Sequence, residues 1–247
     1  MPTFSPRFYG GFVFVEEEAT LTCKGATITG NHAGDQGGGI FARQATWLNS
    51  SCDLIANEAP HGAAIYMTKV KSATFDNLNV IDNLASGGSV VYVAASAVVA
   101  KGVTFRSRVG LQAYSFNRAL QLDGNTTLDA EKCVFDGWLG DTVVLHLNSA
   151  SRSLVLDSCD FSGSSATMAV VSPNSPAVIR NAVVSKLTFE NAIAANNSRT
   201  IVDRALDCSY PNICGAGSAW IAHSEFYANA SGMAHVSTMA VTYPSAS

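Results

Sequence analysis

The fold is decided by three hexapeptides: Ala26-Thr27-Ile28-Thr29-Gly30-Asn31, Cys52-Asp53-Leu54-Ile55-Ala56-Asn57 and Leu78-Asn79-Val80-Ile81-Asp82-Asn83. Each opens on a small or apolar residue, places a large apolar anchor two positions on, and ends with Asn. The pattern continues in weaker form as Val103-x-Phe105, Cys133-x-Phe135, Cys159-x-Phe161 and Leu187-x-Phe189. It regains its Asn in Ser224-x-Phe226-x-x-Asn229. The eight anchors lie about 26 residues apart, the last interval stretching to about 37.

Two further segments accompany each early anchor. About eleven residues after it come Gly38-Gly39-Ile40-Phe41, Ala63-Ala64-Ile65-Tyr66 and Ser89-Val90-Val91-Tyr92. Shortly before it come apolar pairs such as Leu21/Cys23, Ala73/Phe75 and Leu154/Leu156. Apolar residues alternate with others over four to six positions, which is the signature of a half-buried strand rather than a helix. Val, Ile, Thr, Phe and Tyr fill the strands, and Gly, Asn, Ser and Asp fill the gaps.

Three short strands per ~26-residue turn predict an all-β fold, a single-stranded parallel β-helix of about eight turns. One turn cannot bury its own inward side chains; stacked turns bury a continuous column. Eight turns at about 4.8 Å each predict a rod about 40 Å long. The whole chain, 1–247, reads as a single solenoid domain or a fragment of a longer one. Residues 192–219 read as an insertion that lengthens the last repeat. The aligned Asn31, Asn57 and Asn83 predict a structural Asn ladder at a sharp corner, where Asn tolerates a left-handed backbone. The glycine pairs before Ile40 and Val91 predict tight turns.

The composition fits a rod. Only 14% of the residues are charged, 47% are apolar, mean hydropathy is +0.17 and the net charge is −4. There is no basic excess, so nucleic acid is not an expected partner. A membrane span is not expected either. The longest apolar stretch, Val90–Ala100, is interrupted by Ser96 and far shorter than the ~20 residues a spanning helix needs. The start of the chain does not read as a signal peptide, because Phe12–Val15 is followed at once by Glu16, Glu17 and Glu18. Gly10-Gly11-Phe12-Val13 reads as the second strand of a turn, and no polar cap is visible at either end. The rod is therefore expected to continue or to pack end-on against a neighbour.

The alternation of FxxN-like and GGAI-like motifs resembles the polymorphic outer-membrane-protein repeats of chlamydial surface proteins. Similar repeats occur in large surface proteins of algae and other protists. The FxxN motif is complete at Phe226-Tyr227-Ala228-Asn229, and Ile28, Leu54 and Val80 replace Phe earlier. The GGAI motif is best at Gly38-Gly39-Ile40, with Gly11-Phe12 as its counterpart. The resemblance implies a right-handed β-helix, a surface location, and a role in adhesion or surface structure. It carries over no catalytic residue.

Six cysteines are present. Cys208 and Cys214 bracket a short loop and form one disulfide candidate. Cys133 and Cys159 share a register in adjacent turns; they are a second candidate, or a pair of buried thiols. Cys23 and Cys52 flank a bend in neighbouring turns and form a third. An even count with three feasible pairs favours an oxidising, extracellular or cell-surface location. No Cys-x-x-Cys and no Cys/His pair at ligand spacing predicts a metal site, and no cofactor is implied. Glycosylation sequons stand at Asn49, Asn125, Asn196 and Asn229.

β-Helices can host polysaccharide lyases and hydrolases, whose sites need converging carboxylates. The Asp-Asp, Gly-His-Gly and Arg-x-Lys set of polygalacturonases is absent. Asp136, Asp157 and Asp160 make the best acidic patch and the only catalytic candidates of that alternative. The histidines (His32, His61, His146, His223, His235) are scattered. Thr27 and Thr29 could begin an ice-binding array, but Asp53/Ile55 and Asn79/Ile81 fill the equivalent positions. Trp138 and Tyr227 are the outward aromatics that could stack on a sugar. The leading expectation is a non-enzymatic extracellular structural or adhesive module, part of a surface layer or filament. Its partners are protein neighbours at the rod ends or lateral faces, with carbohydrate a further possibility.

Overall fold

The computed structural model describes residues 11–107, 118–139, 142–146, 154–161, 163–164 and a set of strands from 168 onward. The described residues form an all-β solenoid of parallel strands. Its first turn carries β1 (Val13–Glu16) and β2 (Thr20–Thr29). The second carries β3 (Ile40–Arg43), β4 (Trp47–Ile55) and β5 (Glu58–Ala59). The third carries β6 (Ile65–Thr68), β7 (Ser72–Asp76), β8 (Asn79–Ile81) and β9 (Leu84–Ala85). The fourth carries β10 (Ser89–Ala94), β11 (Ala97–Lys101) and β12 (Thr104–Arg106); the fifth β13 (Arg118–Asp123), β14 (Thr127–Glu131) and β15 (Val134–Asp136). Then follow β16 (Thr142–His146), β17 (Leu154–Asp157), β18 (Met168–Val171), β19 (Ala177–Arg180) and β20 (Val183–Val184). The last are β21 (Thr188–Glu190), β22 (Ala192–Ala194), β23 (Ile201–Val202), β24 (Phe226–Tyr227) and β25 (His235–Val236).

Equivalent strands stack into three parallel sheets. The first runs β1-β3-β6-β10-β13-β16-β18-β21. The second runs through the leading halves of β2 and β4 to β7, β11, β14, β17, β19 and β22. The third joins the trailing halves of β2 and β4 to β8, β12 and β15. The anchors pair in the expected register: Ile28 with Leu54, Leu54 with Val80, Val80 with Phe105, and Phe105 with Phe135. Inside the coil the rings of Phe105, Phe135 and Phe161 stack at 4.9 and 4.5 Å. The core is one continuous cluster in which Ile40, Leu48, Leu54, Ile65, Leu78 and Leu122 are wholly buried. At ~25 cal/mol per Å² of apolar surface, such side chains each contribute about 1.5–3 kcal/mol, and they are the main stabilising term.

Residues with a left-handed backbone mark the corners, two of them, Glu17 and Glu18, after β1. Glu17, Gln44, Lys69, Ala95 and Gly124 follow the first sheet with φ of 50, 54, 55, 48 and 58°. Asn77, Gly102, Lys132 and Ser158 follow the second sheet. Gly30, Ala56, Asp82 and Gly137 follow the third, with φ of 67, 52, 54 and 76°. The Asn column therefore does not occupy the left-handed position; the residue before each Asn does. The glycine pair is also not a turn device. Gly37 has φ of 72°, whereas Gly38 and Gly39 are needed for close approach. A Cβ at Gly38 would lie 2.5 Å from the Ala63 carbonyl oxygen and 2.6 Å from that of Glu58.

Among the described residues the full three-sheet turns are fewer than the eight expected. About five turns place a strand in all three sheets, and only the first two sheets continue regularly beyond them. Phe189 lies in the first sheet opposite Val170, not in the anchor sheet. Phe226 and Tyr227 pair antiparallel with Val236 and His235. Alternation marks a strand but neither its sheet nor its direction, so two isolated anchor motifs were open to these alternatives. The expected insertion, 192–219, begins with strands: β22 stacks on β19 and β23 on β20. No helix among the described residues is long and apolar enough to cross a membrane.

Candidate functional site

Polar groups inside the coil are committed to stacking. Asn31 Nδ2 donates to Asn57 Oδ1 at 2.8 Å, and Asn57 Nδ2 donates to Asn83 Oδ1 at 3.0 Å. The same amide of Asn57 reaches the Ile28 carbonyl at 2.9 Å, and that of Asn83 the Leu54 carbonyl at 2.7 Å. Backbone N–H groups of Asn31 and Asn57 also donate to the next Asn Oδ1, at 3.1 and 2.9 Å. The column then changes chemistry without losing its function. Trp138 Nε1 donates to the Phe105 carbonyl at 3.1 Å, and Ser164 Oγ to that of Phe135 at 2.9 Å. Trp138 is thus 1% exposed and inward, which removes it from the outward aromatics. Tyr227 lies in the β24–β25 hairpin rather than on the coil.

The three acids of the expected patch occupy different registers. Asp136 is in the third sheet, where Arg106 Nε donates to its Oδ2 at 2.9 Å. Asp160 pairs with Val134, two positions from the register of Asp136. Asp157 stands in the second sheet opposite Glu131, and Ser158 Oγ donates to it at 3.0 Å. Among the described residues no three His, Cys, Asp or Glu side chains gather as a metal-holding group. His32 faces Glu58 at 3.5 Å, both well exposed. Phe75, Val93, Leu120, Phe105 and Cys133 are among the residues around a wholly apolar void of about 10 Å³, a volume at the lower limit for one water molecule.

Cys23 and Cys52 are joined by a disulfide, with Cα atoms 6.0 Å apart. The Cys133–Cys159 disulfide candidate is overturned: both are buried free thiols. Equivalent side chains of stacked turns run parallel, so each thiol points to a backbone carbonyl instead. Cys133 donates to Ala100 at 3.9 Å and Cys159 to Ala130 at 3.8 Å. The neighbouring Cys133 thiol and burial together push Cys159 above the ordinary thiol range. Cys208, Cys214, Asn196 and Asn229 lie outside the described residues. Asn49 is a mid-strand residue of β4, paired on either side with Thr22 and Thr74. Asn125 is exposed, in the corner between β13 and β14.

The feature that sequence reasoning missed lies on the outer face of the first sheet. Phe14, Phe41, Tyr66 and Tyr92 share one register there. Their rings stack at 5.0, 5.4 and 4.8 Å with interplanar angles of 4, 4 and 9°. Offset ring pairs of this spacing add about 0.5–1.5 kcal/mol each beyond area burial. Tyr92 ends the column, its hydroxyl donating to Asp123 Oδ2 at 3.2 Å. Burial, and then the Asp123 carboxylate, push its phenol well above the ordinary range. At the other end Phe14 is 51% exposed and its neighbour Phe12 65%. The signal was present as the aromatic after Ile40, Ile65 and Val91. Alternation assigns the inward position and leaves the outward residue unspecified.

No protein-family model, curated protein or solved structure matches this chain. Function must therefore be argued from the geometry alone.

Proposed function

We propose that the protein is a non-enzymatic structural or adhesive β-solenoid module, working outside the cell or at its surface, in a layer or filament. The observation that carries this reading is the exposed pair Phe12 and Phe14, at one end of the outer aromatic column. Exposed apolar residues grouped on one face mark a contact surface for another protein. The same end of the described solenoid has β1 paired with β3 and β2 paired with β4, each along one edge among the described residues. Strand edges with no partner among the described residues, beside apolar rings, favour association by strand pairing. Low charge adds little electrostatic resistance to such packing. The Cys23–Cys52 disulfide supports an oxidising location.

The test is self-association. Light scattering and electron microscopy across a concentration series should show assemblies, and replacing Phe12 and Phe14 by Ser should shift them toward monomer with the β-sheet circular dichroism unchanged. A monodisperse monomer at every concentration overturns the assembly reading. Polysaccharide cleavage that is abolished by Ala at Asp136, Asp157 and Asp160 overturns the non-enzymatic one.

A further inference from the structure

We infer that Asn125 is the acceptor of an N-linked glycan, and that Asn49 is not, although both carry the sequon. The inference rests on the reading of the chain as exported. Its physical basis is a difference between successive corners. After the first sheet, one residue separates the strand end from a buried corner residue: Gln44 before Ala45, Lys69 before Val70, Ala95 before Ser96. In the fifth turn two residues, Gly124 and Asn125, precede the buried Thr126. The strand ends themselves stay aligned, Ala94 with Asp123 and Ala97 with Thr127. The corner holds three residues between aligned strand ends, as do those of the second and third turns; its difference is that the second position, buried as Ala45, Val70 and Ser96 in the preceding turns, is here the exposed Asn125.

The neighbours of Asn125 hold the corner without its help. Thr126 Oγ1 donates to the Asp123 carbonyl at 2.5 Å, and the Gly124 N–H donates to Asp123 Oδ1 at 2.6 Å. The Thr127 N–H donates to the Ser96 carbonyl of the preceding turn at 3.0 Å. The Asn125 side chain is exposed and takes no part in these bonds. Among the described residues, no hydrogen bond of the corner depends on the Asn125 side chain. Asn49 differs in kind: its backbone is mid-strand, with a paired strand on each side. The Cys23–Cys52 disulfide is the second, independent pointer. It forms in the oxidising compartments through which exported chains pass, and glycan transfer takes place there in eukaryotic cells.

The donor class is a lipid-linked oligosaccharide pyrophosphate. The Asn125 Nδ2 forms a bond to the anomeric carbon, and the bond from that carbon to the pyrophosphate oxygen breaks. The lipid pyrophosphate leaves with the electron pair, and the amide loses one proton to a base. The sequon hydroxyl is supplied by Thr127, while Thr126 fills the unconstrained middle position.

The experiment is to secrete the full chain from a eukaryotic host behind a cleavable leader and map its tryptic peptides. The peptide Ala119–Lys132 should carry the glycan and lose it on amidase treatment, leaving Asp in place of Asn125. Asn125→Gln and Thr127→Ala should each remove one glycan from the protein's mass, whereas Thr126→Ala should retain it. Finding Ala119–Lys132 unmodified in secreted protein that has formed the Cys23–Cys52 disulfide overturns the inference while leaving the exported reading intact. A glycan on Asn49 with none on Asn125 also overturns it. Retention of a reduced, unglycosylated chain inside the host counts against both.

Discussion

At the scale of the residue, Asn57 shows what a polar side chain does inside this coil. It is fully buried, yet its amide and its Oδ1 are both bonded to neighbouring turns. A buried polar group left without a partner costs about 1–3 kcal/mol, so the column is stable only when complete. Asn57→Leu is expected to lower the unfolding free energy by about 3 kcal/mol, because it orphans the Ile28 carbonyl and groups on Asn31 and Asn83. Asn31→Ala, at the half-buried end of the column, should cost about 1 kcal/mol. Urea unfolding of the two variants checks the order, and equal losses would contradict a cooperative ladder. Asn31, Asn57 and Asn83 were legible in the sequence because one residue type recurs at one interval. Trp138 and Ser164 were not, since they share a donor position but neither size nor residue type.

At the scale of the element, the strands are set by alternation and the corners by backbone sterics. Ala56, Lys69 and Ala95 hold a left-handed conformation that L-residues adopt at a cost of roughly 1–2 kcal/mol. Stacking forces that cost, since every turn must bend at the same register. Gly38 and Gly39 answer a different demand, the close approach of successive backbones. Gly38→Ala is expected to destabilise by about 2–3 kcal/mol, because the added methyl meets two backbone carbonyl oxygens that cannot rotate away. Gly25→Ala meets no atom within 4 Å, although its φ is 61°, so its loss should stay near 1 kcal/mol. Thermal melts of the pair separate crowding from backbone strain; a larger loss at Gly25 would reject the close-approach account. A sequence shows that glycine is present but not which of these reasons placed it there.

At the scale of the whole molecule, the disulfide fastens the first turn to the second. The bridged cysteines are 29 residues apart, and closing a loop of that length stabilises a fold by about 3 kcal/mol. A reducing agent should therefore lower the melting temperature of the wild type and leave a Cys23→Ser, Cys52→Ser double variant unchanged. A reduction effect that persists in the double variant would place the stabilising bridge elsewhere. The buried thiols of Cys133 and Cys159 should resist alkylation until the coil unfolds. The sheet faces that matter outside the core, such as the Phe14–Tyr92 column, are likewise a property of stacking. Four aromatics in four separate turns become one stacked column only when the registers align.

The sequence by itself determined the solenoid, its first register and its Asn ladder, because these depend on a period that a one-dimensional string displays directly. It also carried the aromatic column, in positions that became contiguous only through stacking. Tertiary structure alone decided which sheet received Phe189, which direction Phe226 ran, which cysteines joined, and which register each acid took. Those outcomes depend on where unlike residues meet across turns of unequal length, and the repeat interval does not encode that meeting.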